Sequence, residues 1–164
     1  MPNSFTVLID SREQRPLLFP AYARIHNGTA TKMVALKTEV VALATGDYCI
    51  KGHENIAVVE RKASAAELYK NFCTSDARRA AKAFGKLSRA KYPYLLLEIS
   101  PSELITETRL CPDPSAVVMR LGLLLKKHRL HVLMTGHGGS VSHRRIVGGF
   151  LVSLMLGHIL AECY

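Results

Sequence analysis

Asp47, Glu60 and Lys62 are the residues whose types and spacing most directly suggest chemistry. They share one stretch, Gly46-Asp47-Tyr48-Cys49-Ile50-Lys51-Gly52-His53-Glu54-Asn55-Ile56-Ala57-Val58-Val59-Glu60-Arg61-Lys62. Tyr48 and Ile50 read as one short strand, and Ile56, Val58 and Val59 as the next, with a polar turn between. Asp47 starts the first strand and Glu60 ends the second. Carboxylates beside Val-rich neighbours are costly to bury unless a cation satisfies them. If the strands pair, Asp47 and Glu60 converge with Lys62 beside them. Two oxygen ligands are what Mg²⁺ or Mn²⁺ asks of a protein, since such an ion keeps several waters. A neighbouring lysine can position an attacking water or offset phosphate charge. That combination suits metal-assisted phosphodiester hydrolysis.

Taken singly, each residue has a bland account: Asp47 as a turn former after Gly46, and Glu60-Arg61-Lys62 as a strand end reaching solvent. An earlier strand changes the balance, because Val7-Leu8-Ile9-Asp10-Ser11-Arg12-Glu13 again delivers acids at a strand end. Gly46-Asp47 followed by Val59-Glu60-Arg61-Lys62 resembles the Gly-Asp…Glu-Arg-Lys signature of the XPF-type nucleases, the family that includes XPF and the archaeal Hef. The Asp-x-Arg-Glu of the first strand and the later run Tyr92-Pro93-Tyr94-Leu95-Leu96-Leu97-Glu98 extend the likeness over roughly the first hundred residues. The resemblance implies an α/β, restriction-endonuclease-like fold with a central mixed sheet flanked by helices. It also implies a structure-selective DNA endonuclease of repair or recombination that uses Mg²⁺ or Mn²⁺.

Site roles follow from the same resemblance. Asp47 and Glu60, with Asp10 as a further acid, would hold the metal; Glu13 would orient a water or ligand; Lys62 would sit near the water or the scissile phosphate. Arg12 and Arg61 would pair with site carboxylates or contact phosphate. The family pattern continues with three residues and an Asp. Here that position is Ala66 and the acid comes one residue later as Glu67, turned about 100° around a helix. Rival readings are a family member that binds or scaffolds branched DNA without cutting it, and a Holliday-junction resolvase or other repair nuclease.

The formal net charge of +9 in 164 residues favours a polyanionic partner, with nucleic acid the commonest. A hydrophobic content of 48% and a charged content of 21% describe one globular domain rather than a disordered chain. Cys49, Cys73, Cys111 and Cys163 form no C-x-x-C pair, which argues against structural zinc and for reduced intracellular thiols. His128 and His131 are three apart without a second ligand pair. No signal-peptide pattern opens the sequence.

The elements that must position the site read as follows. Phe5 to Ile9 is the first strand, the proline-bearing Gln14 to Pro20 is extended, and Ala21 to Thr31 holds at most a helical turn before Asn27-Gly28. Lys37 to Leu43 is a strand. Ser64 caps a short helix to about Phe72 with Leu68 and Phe72 buried. A second helix, capped by Thr74 or Ser75, runs to Arg89, with Arg78, Arg79, Lys82, Lys86 and Arg89 recurring at helical spacing as a candidate phosphate-facing surface. Ala80, Ala83, Phe84 and Leu87 form its apolar face. Tyr94 to Ile99 is a fully apolar strand. Asp113-Pro114 opens a helix with Val117, Val118, Leu121, Leu124 and Leu125 inward, His131 to Met134 is a strand, and Ser140 or Ser142 caps a final helix to about Glu162. The motif-bearing core spans about residues 5–100, and the helix-strand-helix about 113–162, with no helix-hairpin-helix segment evident. Ile146 to Ala161 carries no formal charge, yet it is short for a membrane span. It is expected to be buried or to build a homodimer interface.

Overall fold

The computed structural model describes residues 2–28, 30–136 and 138–163. Its chain divides into two compact units, Met1–Val58 with Gly139–Tyr164, and Val59–Gly138.

In the first unit the strands are β1 (Ser4–Asp10), β2 (Tyr22–Asn27), β3 (Ala30–Val41) and β4 (Tyr48–Ile50), ordered β2-β3-β1-β4. The pairing is mixed: β1 runs parallel to β3, with Asp10 opposite Val41, and antiparallel to β4, with Ile9 opposite Tyr48. β1 is central because its apolar residues are buried on both sides: Phe5, Val7, Leu8 and Ile9 all lie in the core. The segment expected to hold a helical turn is instead strand β2, an antiparallel hairpin partner of β3. Its alternation explains this: Ala23 and Ile25 are buried while Tyr22, Arg24 and His26 face solvent. Gly28, at a φ of 61°, supplies the left-handed residue of the turn.

The last helix, α5 (Val141–Cys163), packs on β2. Ser140 caps it, its Oγ accepting from the His143 N–H at 3.0 Å. By length and composition α5 could cross a membrane, but seven of its residues, Val147, Gly148, Leu151, Val152, Met155, Leu156 and Ile159, are buried within this unit. The opposite side is open, with Ile146 at 69% and Phe150 at 50% exposure. The apolar run is therefore one buried stripe with two large residues left outside, rather than a helix enclosed all round. Gly148 lets α5 approach the chain closely, since a Cβ there would lie 2.3 Å from the Leu18 carbonyl oxygen. Leu18 in turn donates its N–H to Arg144 O at 3.3 Å.

The second unit takes over within β5 (Ala57–Lys62), followed by β6 (Tyr92–Leu97) and β7 (His131–Met134). These strands lie in the order β5-β6-β7, and the last pair is parallel. Four helices accompany them among the described residues: α1 (Ala65–Cys73), α2 (Ala77–Leu87), α3 (Pro101–Ile105) and α4 (Pro114–His128). Leu95, Leu96 and Leu97 are fully buried, and Phe72 and Phe84 join α1 to α2 with ring centroids 6.0 Å apart. The short helix α3 escaped the sequence reading although Ser100-Pro101-Ser102-Glu103 is a full capping box. Thr74 does not cap α2: its hydroxyl donates to Lys70 O and accepts from the Asp76 N–H, and Asp76 takes the N-cap position. On α4, Val117 and Leu121 are buried as expected, but Val118 faces solvent. It sits about 100° round from Val117, beyond the edge of a narrow stripe. Ala83 is likewise exposed on α2.

Close approach at Gly148 carries a measurable cost. Gly148→Ala should lower unfolding stability by about 1–3 kcal/mol through overpacking against Leu18. Gly157→Ala, where a Cβ meets nothing within 4 Å, should raise it by about 0.5–1 kcal/mol. Equal effects in urea titrations would contradict this packing.

Candidate active site

Within the first unit, β1 ends at Asp10 and everything around it is tied to that end. The Asp10 N–H donates to Asp47 O at 2.9 Å, Ser11 N–H to Val41 O at 2.8 Å and Glu13 N–H to Asp10 O at 3.0 Å. Gly46, with a φ of 72°, makes the turn that delivers Asp47. The sequence-predicted Asp10, Arg12, Glu13 and Asp47 are thus gathered at one strand end. Asp47 is half-buried.

Asp10, 1% exposed, has both carboxylate oxygens engaged. Oδ1 accepts from Arg12 N at 2.8 Å and Arg12 Nε at 2.7 Å; Oδ2 accepts from an Arg12 Nη at 2.8 Å and from Leu43 N at 2.9 Å. The Arg12 side-chain bonds lead, and they hold the Asp10 carboxyl at a pKa of about 2 despite its burial. Arg12 also donates to Leu43 O at 3.2 Å, so this exposed guanidinium staples the start of β1's exit loop to the end of β3. Tyr48 is core: fully buried, its hydroxyl accepts from Leu17 N–H at 3.0 Å and reaches Glu13 Oε2 at 3.4 Å.

Within the second unit, the end of β5 distributes its charges by strand alternation. Glu60 and Lys62 fall on one side and Arg61 on the other. Lys62 is buried, and its Nζ donates to Glu60 Oε1 at 2.8 Å and Glu67 Oε1 at 3.0 Å. Burial alone pushes its pKa down, but Glu60 and Glu67 outweigh that, and the ammonium is held above the ordinary lysine value. Lys62 is therefore a permanent cation at neutral pH. Glu67 does double duty as residue N3 of α1. Its N–H donates to the Ser64 cap at 3.1 Å, and its Oε2 accepts from Ala63 N–H at 3.0 Å. The acid displaced from the family position thus reaches the motif lysine, and the signal for it was the Ser64-x-x-Glu67 cap.

Arg61 is buried against Glu98, with Nε donating to Oε2 at 2.8 Å and an Nη to the same oxygen. Glu98 follows β6, and its N–H donates to Lys62 O at 2.9 Å. Sequence reading missed this role for Glu98. Its signal was a carboxylate closing the Leu95-Leu96-Leu97 run, where burial demands a cation. The basic residues Arg78, Arg79, Lys82 and Lys86 are exposed on α2, while Arg89 lies just past its end. Arg79 leans on Asp76 at 3.5 Å in solvent, a contact of small worth.

Among the described residues no group of three or more His, Cys, Asp and Glu side chains is assembled for a metal. The donor chemistry still separates the candidates. Asp10 could ligate directly only by giving up Arg12. Glu60 keeps Oε2 outside its Lys62 bond, and a hard cation needs only one or two carboxylates when water and phosphate complete its shell. In the first unit Asp10 is committed to Arg12 and lies beside Asp47; in the second, Glu60 keeps one carboxylate oxygen free of Lys62.

Two outcomes are expected. Removing Arg12 should cost on the order of 1–2 kcal/mol at pH 7, with solvent screening of the exposed guanidinium allowed for. Because Asp10's folded pKa is depressed, that contribution is present above about pH 4 and fades toward pH 2. Wild-type and Arg12→Ala stabilities should therefore converge over this range, and a constant gap would refute the clamp. Glu98→Leu alone should destabilise by about 3–5 kcal/mol by stranding Arg61, whereas Arg61→Met with Glu98→Leu should recover most of the loss; failure to recover in chemical denaturation would deny the pair.

No family model and no curated protein matches the sequence. Among solved structures, XPF from Aeropyrum pernix is similar with a TM-score of 0.60 at 14% identity, covering 97% of this chain and 62% of that one. XPF from Aeropyrum pernix in complex with DNA is similar with a TM-score of 0.60 at 14% identity, covering 98% and 68% respectively. This chain spans about 62% of the length of the first of these. Over nearly its whole length, then, the chain has the α/β fold of XPF, the restriction-endonuclease-like class that its motifs imply.

Proposed function

We propose that the protein is a Mg²⁺- or Mn²⁺-dependent endodeoxyribonuclease that hydrolyses phosphodiester bonds in branched DNA such as flaps and forks, in repair or recombination within the cell. The observation that carries this reading is the charged group at the end of β5. There a buried lysine is kept protonated by two carboxylates, on the fold of a protein solved in complex with DNA.

The motif resemblance assigns the ion to Asp47, on the first unit, and Glu60, on the second. Bound there, it would lower the pKa of a coordinated water and offset charge on the pentavalent transition state. The chain's own residues supply the rest. Lys62, charged throughout the neutral range, is a donor and not a base. It orients Glu60 and opposes phosphate charge. Arg61 and Glu98 fix the backbone from which Glu60 and Lys62 project. Asp10, held by Arg12, anchors the loop carrying Asp47 through the backbone bond at 2.9 Å, and Glu13 beside it orients water. Arg78, Arg79, Lys82, Lys86 and Arg89 take phosphates without reading bases. A homodimer through the open side of α5, around Ile146 and Phe150, would double that basic surface.

One observation favours the rival reading of a DNA-binding module without activity: Ala66 stands where the family pattern has its last acid. The same experiment separates the two. Asp47→Ala and Glu60→Ala should each reduce cleavage of forked DNA in Mg²⁺ by roughly a hundredfold or more, with fork affinity preserved. Wild-type protein that binds forks but never cuts them would establish the module instead. Replacing Arg79, Lys82 and Lys86 by Ala should lower the slope of log affinity against log salt by up to about 3. An unchanged slope would return these residues to an ordinary solvated face.

A further inference from the structure

The second unit contains a cleft of about 820 Å³ that no proposed role uses, within the roughly 300–1,000 Å³ of ligand sites. Its floor begins one residue after Lys62. Ala63, Ala65 and Ala66 line one side, Ile99 and Leu110 add aliphatic surface, and Ser102, Thr106, Thr108 and Arg109 supply polar edges. We propose that this cleft receives one unpaired nucleotide of a DNA substrate, splayed from its strand next to the phosphate that is cut. The proposal rests on the nuclease reading above and names how that site would select branched DNA.

Four features of the cleft point to this occupant. First, the cleft is continuous with the charged group: Ala63, which lines it, gives its N–H to Glu67 Oε2, and Glu67 holds Lys62. Second, its walls match a nucleobase. Small alanines leave apolar surface open, and Leu110, 72% exposed, offers aliphatic surface that solvent now covers. Third, the polar groups beside the apolar walls mix the hydroxyls of Ser102, Thr106 and Thr108 with the Glu103 carboxylate and the Arg109 guanidinium, so both acceptors and donors face a base edge. Such an edge tolerates any base, so it would read the absence of pairing rather than sequence. Fourth, Arg109 has no carboxylate partner among the described residues and provides the cation a nucleotide's own phosphate needs. A paired base cannot enter without breaking its pair and leaving its stack, whereas an unpaired one has no pair to break. The cleft therefore discriminates duplex from branch by energy alone.

The test is binding in EDTA, so that cleavage plays no part. The probes are a forked duplex carrying 2-aminopurine in its single-stranded arm next to the junction and a fully paired duplex of the same sequence. Wild-type protein should change the 2-aminopurine fluorescence of the fork and bind it more tightly than the duplex. Ala66→Leu, which narrows the cleft beside Ala63 and Ala65, and Arg109→Ala, an exposed change with little risk to folding, should each weaken fork binding by about tenfold and abolish the fluorescence change. Duplex affinity should stay the same. A fluorescence change and a fork preference that survive both variants, or equal losses on fork and duplex, would overturn the cleft while leaving the nuclease reading in place. Failure of wild-type protein to bind either DNA would overturn both.

Discussion

A cation taken out of water must bring its counter-charge with it, and the end of β5 takes in two. Lys62 is kept by Glu60 and Glu67, and Arg61 by Glu98. Each carboxylate comes from a different element: β5 itself, the first turn of α1, and the residue after β6. The pairs therefore tie the start of α1 and the end of β6 to the end of β5. Ion pairs of this kind add little net stability against a well-packed apolar alternative, because desolvation consumes most of the attraction. Their persistence here is better explained by what they hold in place, a charged lysine and a glutamate at a strand end.

The first unit solves the matching problem with a single acid. Asp10 gives all its acceptor capacity to Arg12 and Leu43, and so converts a catalytic-looking residue into an anchor for the loops after β1 and β3. That anchoring keeps the Asp47 carbonyl bonded to the end of β1. In both units, then, motif residues hold one another in place: Arg12 holds Asp10, and Glu60 and Glu67 hold Lys62.

Much of this was legible in the residues themselves. The strand β1, the caps at Ser64 and Asp113 and the buried face of α4 around Val117 follow from alternation, cap chemistry and helical spacing. β2 was missed because Ala and His blur an alternation that only Ile25 marks strongly. The helix α3 was missed because five residues give no periodicity, although its capping box was complete. α5 misled in a different way. Gly148, Gly149, Ser153 and Gly157 hide the boundary between its buried stripe and its open side, since small residues are neither apolar anchors nor solvent-seeking groups. Glu67 and Glu98 each carried a local signal, but the cation each one meets lies on another element and could not be named from spacing.

Cleavage itself is the most direct test of the central claim. Purified protein should be incubated with flap, fork, four-way junction and plain duplex DNA, each with Mg²⁺ or Mn²⁺ and each with EDTA. Cuts are expected near the branch of flaps or forks in metal alone, with the plain duplex left intact. Cleavage that persists in EDTA, or no cleavage of any substrate by protein that binds the fork, would contradict that claim.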